Sequence, residues 1–146
     1  MSVVAGSIAS GAVSVTVQPA APSILTYGDA NNRAVVINPD GSVNAAANGA
    51  KPGSVMVGYL IGSGPLDNPI PTGAPAPLTP LSQEKLMTTV SVGGSTANVQ
   101  FAGMAPGYVG LMQLNFVMPN IAPGDYPLQV TIGSAGSNQP LLTVSR

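Results

Sequence analysis

Short apolar runs, separated by clusters of glycine, proline, asparagine and serine, recur along the sequence and constrain its fold more than any other feature. Runs of about four to eight apolar residues between such turn-forming clusters are typical of β-strands. The 146 residues include 18 glycines and 15 prolines. Helix-forming residues are confined to residues 81–86, which would make about one turn. The pattern therefore predicts an all-β chain.

The apolar runs predict about seven or eight antiparallel strands, at intervals typical of a β-sandwich. Residues 54–61 are apolar on both faces, as expected for a strand in the middle of a sheet. Residues 109–117 and 126–132 instead alternate, with apolar side chains facing inwards. The predicted strands cover residues 34–37, 54–61, 86–92, 97–101, 109–117, 126–132 and 139–145.

The amino-acid composition excludes several kinds of chemistry. The chain contains no histidine, cysteine or tryptophan. Without histidine, neither a Ser-His-Asp nor a Cys-His nucleophile system can be built. The usual ligands of zinc, copper, haem and iron–sulfur clusters are also missing. We therefore expect no enzyme activity, no catalytic residue, no metal site and no cofactor.

The chain carries very little charge. Charged residues make up 6% of the sequence, and the formal net charge is −1. Four lysines and arginines cannot form the basic surface that nucleic acids require. The apolar runs are too short to cross a membrane as helices. We expect neither nucleic-acid binding nor membrane insertion, and we expect only weak repulsion between copies of the chain.

The few acidic residues show no arrangement that indicates a reaction. Their spacing does not resemble a calcium-binding EF-hand loop, and no pair is predicted to face each other as in a glycosidase. Most lie in turn sequences, where aspartate is favoured for its backbone hydrogen bonds. The acidic residues are Asp29, Asp40, Asp67, Glu84 and Asp125.

Residues 62–80 contain six prolines. So many prolines exclude both a helix and a central strand, and they favour an extended surface loop. The loop is predicted either to connect two sheets or, as long ordered loops often do, to serve a function.

A series of short motifs follows in order along the chain and gives it a family resemblance. The motifs are KPGSV at 51–55, GSGP at 62–65, VSVGG at 90–94, FAGMAPGYVGLMQLN at 101–115, MP at 118–119 and PGD at 123–125. With these motifs, residues from about 20 to 144 resemble the uncharacterised C-terminal domain family first noted in Solibacter-type acidobacterial proteins. That family is similar to the immunoglobulin-like IPT/TIG modules of bacterial surface proteins.

The resemblance implies an immunoglobulin-like β-sandwich, often found in tandem, with no known catalytic residues. It also implies an extracellular or cell-surface location. The first residues of the chain lack the basic and apolar segments of a signal peptide, so none is predicted.

The N-terminal part of the chain contains one further alternating segment. Within AVSVTVQ at 12–18, Val13, Val15 and Val17 would lie on one face of a strand. Pro19 and Pro22 then predict a stiff linker. The predicted organisation is an N-terminal strand at residues 1–18, a proline-containing linker at 19–33 and an immunoglobulin-like β-sandwich at 34–146.

Two interpretations of this segment are open. It folds back into its own sandwich, or it adds as a strand to a neighbouring copy. Repeated head-to-tail addition gives an open filament, and the segment has no charge to block pairing. The predicted self-assembly strand consists of Ala12, Val13, Val15, Thr16 and Val17.

These features favour a structural, non-catalytic subunit of an extracellular filament or surface array, with further copies of the chain as its partners. The alternative is a monomeric cell-surface module for adhesion or carbohydrate binding, which would bind glycans through residues 62–80 or the loops at the end of the sandwich.

Overall fold

The regular structure consists of β-strands alone in the computed structural model, which describes residues 1–146. The all-β prediction is confirmed. No helix is present that is long and apolar enough to span a membrane. The strands are β1 (Val4–Ala5), β2 (Ile8–Ala9), β3 (Ser23–Ile24), β4 (Val36–Ile37), β5 (Val55–Ile61), β6 (Thr88–Val92), β7 (Ser95–Met104), β8 (Met112–Val117), β9 (Gly124–Ile132), β10 (Ala135–Gly136) and β11 (Leu141–Val144).

Nine strands form one antiparallel sheet that curls on itself. Its order is β10-β9-β6-β7-β8-β5-β3, while β11 also pairs with β9 and β4 with β5. The remaining two strands, β1 and β2, form a separate hairpin near the N-terminus. Because the sheet is continuous, the division into two sheets that defines a sandwich stays a prediction.

Strand β7 changes its pairing partner along its length. Its first residues pair with β6, and from Asn98 onwards it pairs with β8. The register with β8 shifts between Val99 and Phe101. Such a bulge bends a strand and increases its twist, which favours the curl of the sheet.

Hydrogen bonds join the two ends of the curled sheet. The Ala34 N–H donates to the carbonyl of Leu141 at 2.9 Å, and the Ala50 N–H donates to that of Thr143 at 2.8 Å. The Asn138 side chain also bonds the main-chain N–H and carbonyl of Ile24, at 2.7 and 3.0 Å. These contacts cover strand edges that would otherwise be open to pairing with another chain.

The inward faces of the long strands form a single apolar core. In β8 every second residue is buried, as the alternation predicts. The same holds for the second half of β9. The largest fully buried side chains are Met56, Leu60, Met112, Leu114, Phe116, Met118, Leu128, Ile132 and Leu142.

Residues 20–33 differ from the linker that the prolines predict for 19–33. Ala20 and Ile24 are buried in the core, and Arg33 is buried as well. Strand β3 in this segment pairs with β5. The prolines therefore mark the point where the chain enters the folded body, because the apolar residues that follow them supply the edge next to β5.

Residues 12–18 pair with no strand of their own chain, so the strand predicted there stays a prediction. A strand exists only where a neighbour accepts its main-chain hydrogen bonds, and the chain offers this segment no such neighbour.

The helical turn suggested for residues 81–86 is absent, since Gln83 and Glu84 form β-bridges with Gly103 and Leu66. Residues 62–80 contain no strand, as predicted.

Candidate functional site

The N-terminal segment, residues 1–19, extends from the body and is called the arm below. Every residue of the arm is exposed, whereas Ala20, which follows it, is buried. Val13, Val15 and Val17 keep 65%, 55% and 90% of their surface exposed. The apolar row that the sequence predicts at Val13, Val15 and Val17 is therefore not covered by the body.

The hydrogen bonds of the arm are all internal and end at residue 13. The Ser10 N–H donates to the Val3 carbonyl at 2.9 Å, and the Val13 N–H donates to that of Met1 at 2.8 Å. Residues 14–19 make no main-chain hydrogen bond. This stretch thus presents both unpaired backbone groups and apolar side chains to solvent.

Covering the valine row would offset much of the free-energy cost of ordering the segment. Burial of a valine side chain stabilises by about 1.5 kcal/mol. New main-chain hydrogen bonds would each add about 1 kcal/mol. Ordering the segment costs about 1–2 kcal/mol per residue, so only a well-fitting partner leaves a net gain.

Two close approaches fix the point where the arm leaves the body. The Ala21 N–H donates to the Gly62 carbonyl at 3.0 Å. A Cβ at Gly62 would lie 1.9 Å from the Ala21 oxygen, and one at Gly64 would lie 2.6 Å from the Pro19 oxygen. Only glycine allows residues 19–21 and 62–64 of the same chain to approach this closely, so the arm starts from a defined position.

An ion pair between the buried Arg33 and the exposed Asp125 is the main polar feature of the body. The Arg33 guanidinium donates to both carboxylate oxygens of Asp125, from Nη1 at 2.9 Å and from Nη2 at 2.8 Å. Its Nε lies 3.4 Å from Asp29, and Nη1 also donates to the Thr143 hydroxyl. Hydrogen bonds from Arg33 and Thr143 lower the pKa of Asp125 to about 2.

This ion pair belongs to a network that holds β11 in place. Asn44 and Thr143 exchange two hydrogen bonds, each of 2.9 Å, between side chain and main chain. The Tyr27 hydroxyl donates to the Asn44 carbonyl at 3.1 Å. Because these polar groups are engaged with one another, the network fits a structural role.

Glu84 lies in a different environment, between β7 and the proline-rich loop. Its N–H donates to the Ala102 carbonyl at 3.1 Å, and the next N–H, of Lys85, donates to that of Pro65 at 3.1 Å. Neither carboxyl oxygen makes a well-formed hydrogen bond within the chain. Burial raises the pKa of Glu84 to about 7, although the Ser63 hydroxyl opposes this shift.

The raised pKa of Glu84 predicts that stability falls as the pH rises. The unfolded glutamate ionises near its reference pKa of 4.5, whereas the folded one stays protonated up to about pH 7. Between these values the unfolded chain binds fewer protons, so the free energy of unfolding decreases. After allowance for partial solvent screening, we expect a loss of about 2 kcal/mol from about pH 4.5 to 8.

Urea denaturation of the wild type and of Glu84→Gln at the two ends of this pH interval measures the effect. The glutamine side chain cannot ionise, so the variant should lose about 2 kcal/mol less than the wild type over the interval. Equal losses in the two proteins would contradict the burial of the carboxyl group.

Comparisons with known proteins give no family assignment. No protein-family model matches the chain, and no curated protein is significantly similar to it. The resemblance to the acidobacterial domain family therefore stays a prediction. No three or more acidic, histidine or cysteine side chains group together as metal ligands would.

The structure places the residues of the predicted self-assembly strand together on the arm. Ala12 and Thr16 are exposed like the valines, and so is Pro19, whereas Pro22 is buried in the body. Sequence reasoning missed the pairing of Arg33 with Asp125. These residues are 92 positions apart, and nothing in the local pattern connects them.

Proposed function

We propose that the chain is a structural, non-catalytic subunit of an extracellular filament or surface array. Copies assemble head-to-tail by β-strand addition of residues 11–18 to a neighbouring copy. The observation that carries this proposal is the exposed row of Val13, Val15 and Val17. It lies on a segment in which residues 14–19 make no main-chain hydrogen bond.

Strand addition would bury the apolar side chains of the segment and would also pair its free main-chain groups. Main-chain hydrogen bonds to a sheet edge supply affinity, and alternate side chains entering an apolar surface fix the register. The arm and its acceptor are different surfaces, so the contact is heterologous and can repeat without closing. The low charge of the chain favours such packing of copies.

The curled antiparallel sheet supports an immunoglobulin-like sandwich as the underlying fold. The change of partner along β7 is the kind of strand exchange that links two packed sheets. Immunoglobulin-like modules are the kind of domain that the sequence resembles, and they occur on bacterial surfaces. An extracellular or cell-surface location follows from that resemblance.

Replacing the valine row tests the proposed function without shortening the chain. In the triple variant Val13→Thr, Val15→Thr and Val17→Thr, hydroxyl groups replace methyl groups on the face that must be buried. With a loss of about 1 kcal/mol at each position, self-association should weaken at least about a hundredfold. Sedimentation velocity over a range of concentrations measures this.

The matched control changes the opposite face of the same segment, with Ser14→Thr. It should assemble like the wild type, because that side chain faces away from the acceptor. A triple variant that associates as strongly as the control would overturn the proposal, and so would a wild-type chain that is monomeric throughout.

A polar cavity favours the second candidate function, a carbohydrate-binding module. The cavity measures about 240 Å³, and Asn38, Asp40, Asn48 and Lys51 are among the residues that line it. Asn38 is buried and donates to the Asn48 carbonyl at 3.1 Å, but its Oδ1 has no partner. Monomeric chains that are retained on a glycan surface would support this alternative.

A further inference from the structure

Glu84 is an acidic residue at a core-facing position. Along residues 82–86 the buried and exposed side chains alternate, so that Ser82 is buried and Leu86 packs against the core, whereas both neighbours of Glu84 are exposed. This alternation directs the Glu84 side chain inwards, as in a strand. Both of its carboxyl oxygens are buried and have no hydrogen-bond partner. A buried polar group without a partner is rare and calls for an explanation.

A segment of the proline-rich loop lies beside Glu84. The Asp67 N–H donates to the Gln83 carbonyl at 3.0 Å, and the Gln83 N–H donates to Oδ1 of Asp67 at 2.7 Å. The Lys85 N–H donates to the Pro65 carbonyl at 3.1 Å. Glu84 and its neighbours thus lie between β7 and the loop. Because β7 is part of the sheet, the loop is the outer of these two elements.

Residues 63–75 of this loop, called the flap below, are held at both ends. The carbonyl of Gly62 accepts a main-chain hydrogen bond of 3.0 Å from the start of the body, and Ala76 is bonded to the turn after β7. Between these two points, four hydrogen bonds join the flap to the rest of the chain. Three are those to the residues on either side of the buried carboxyl, and the fourth runs from the Asn68 side chain to the Pro80 carbonyl at 3.1 Å. So few bonds allow the flap to open locally while its ends stay in place.

No positive charge is placed to stabilise an ionised Glu84. Strands β6 and β7 contain no titratable residue. The flap contains only Asp67, which is itself an acid and whose Oδ1 accepts hydrogen bonds from two main-chain N–H groups, at 2.6 and 2.7 Å. Lys85 is exposed on the opposite face of its segment. Burial raises the pKa of Glu84, and the Ser63 hydroxyl is the one group that lowers it, so an ionised Glu84 has to be hydrated.

We propose that the flap is a pH-controlled cover, closed while Glu84 carries a proton and open once the proton has left. A protonated carboxyl is neutral and can stay in its dry position, whereas a carboxylate without a partner needs water. The flap is the outer element and is held by few bonds, so it is the part that moves aside. Opening takes Leu66 and Ile70 away from the core and exposes apolar surface. The proposal does not depend on self-assembly.

The direction of the effect follows from the two states of Glu84. In the closed state its pKa is about 7, and in the open state the pKa returns towards the reference value of 4.5. Between these values the open state binds fewer protons than the closed state, so its population grows as the pH rises. From pH 5 to 8 the open fraction should rise at least about tenfold, after allowance for partial solvent screening.

Native-state hydrogen exchange of the full-length chain, at pH 5 and 8 and in low concentrations of urea, tests the proposal. The reporters are the amide groups of Asp67 and Lys85, which bond across the contact between the flap and its neighbours. In the wild type their protection factors should fall at least about tenfold from pH 5 to 8. They should depend little on urea, because local opening exposes little of the chain. In Glu84→Gln, which cannot ionise, the protection factors should be the same at both pH values.

The matched control is Lys85→Gln, on the outer face of the same segment, and it should keep the pH response of the wild type. An equal loss of protection in Glu84→Gln and the wild type would overturn the proposal. Flap amides as strongly protected as those of β8 would also overturn it, because the flap would then open only when the whole chain unfolds. If Glu84→Gln does not fold, Glu84→Leu gives the same comparison, since leucine suits a core-facing position. None of these results depends on filaments or arrays, so the proposed function is tested separately.

Discussion

Replacing Asp125 with alanine is expected to destabilise the chain by about 3 kcal/mol, because it leaves a buried cation without its main partner. The Arg33 side chain is only 5% exposed, whereas that of Asp125 is 42% exposed. After the substitution the guanidinium would retain only the more distant Asp29 carboxylate and the Thr143 hydroxyl. Urea denaturation at neutral pH measures the loss.

Removing the other partner of the ion pair, with Arg33→Met, should lower the free energy of unfolding clearly less. Methionine fills a similar volume with apolar atoms, and the Asp125 carboxylate that is left behind can be hydrated. We expect a loss of about 1 kcal/mol or less. Equal losses for the two variants would contradict the view that the cost lies in burying an unpaired guanidinium.

The ion pair of Arg33 and Asp125 also predicts that the protein loses stability in strong acid. The hydrogen bonds from Arg33 and Thr143 hold the pKa of Asp125 at about 2, below its reference value of 3.8. A carboxylate with a lowered pKa contributes its full stability above the unfolded value and loses it as the pH falls towards the folded value. The contribution of the ion pair should therefore be complete at about pH 5 and should disappear between about pH 4 and 2.

The sequence predicted the local features of the fold well. Alternating residues give β8 and the second half of β9 their buried and solvent-facing sides, and the apolar run at 54–61 becomes β5 in the centre of its half of the sheet. The proline content of residues 62–80 excludes strands there. Each of these features depends on neighbours within a few positions of the chain.

Features that depend on distant contacts could not be predicted in this way. The ion pair of Arg33 and Asp125, and the bonds from Asn138 to Ile24, join residues 92 and 114 positions apart. The linker prediction failed for the same reason, since only contact with β5 turns residues 23–24 into a strand. The burial of Glu84 also arises from the packing of two separate segments.

The candidate site was predicted in part. The alternation of Val13, Val15 and Val17 identified the arm, because a row of apolar residues must be buried somewhere. No local pattern in the sequence identifies the surface that would accept the arm.

Deletion of residues 1–18 is expected to leave the stability of the body unchanged while it abolishes self-association. The arm contributes no buried side chain to the core, so the free energy of unfolding should change by less than about 0.5 kcal/mol. Self-association, in contrast, should fall by at least about a thousandfold, because the whole valine row and its backbone hydrogen bonds are lost.

Electron microscopy and sedimentation of the intact and the shortened chain, purified side by side, test the central claim most directly. The proposed function predicts filaments or high-mass arrays from the intact chain and only folded monomers from the chain without residues 1–18. Assemblies that persist after the deletion would show that the arm is not what joins the subunits, and an intact chain that stays monomeric at high concentration would contradict self-assembly altogether.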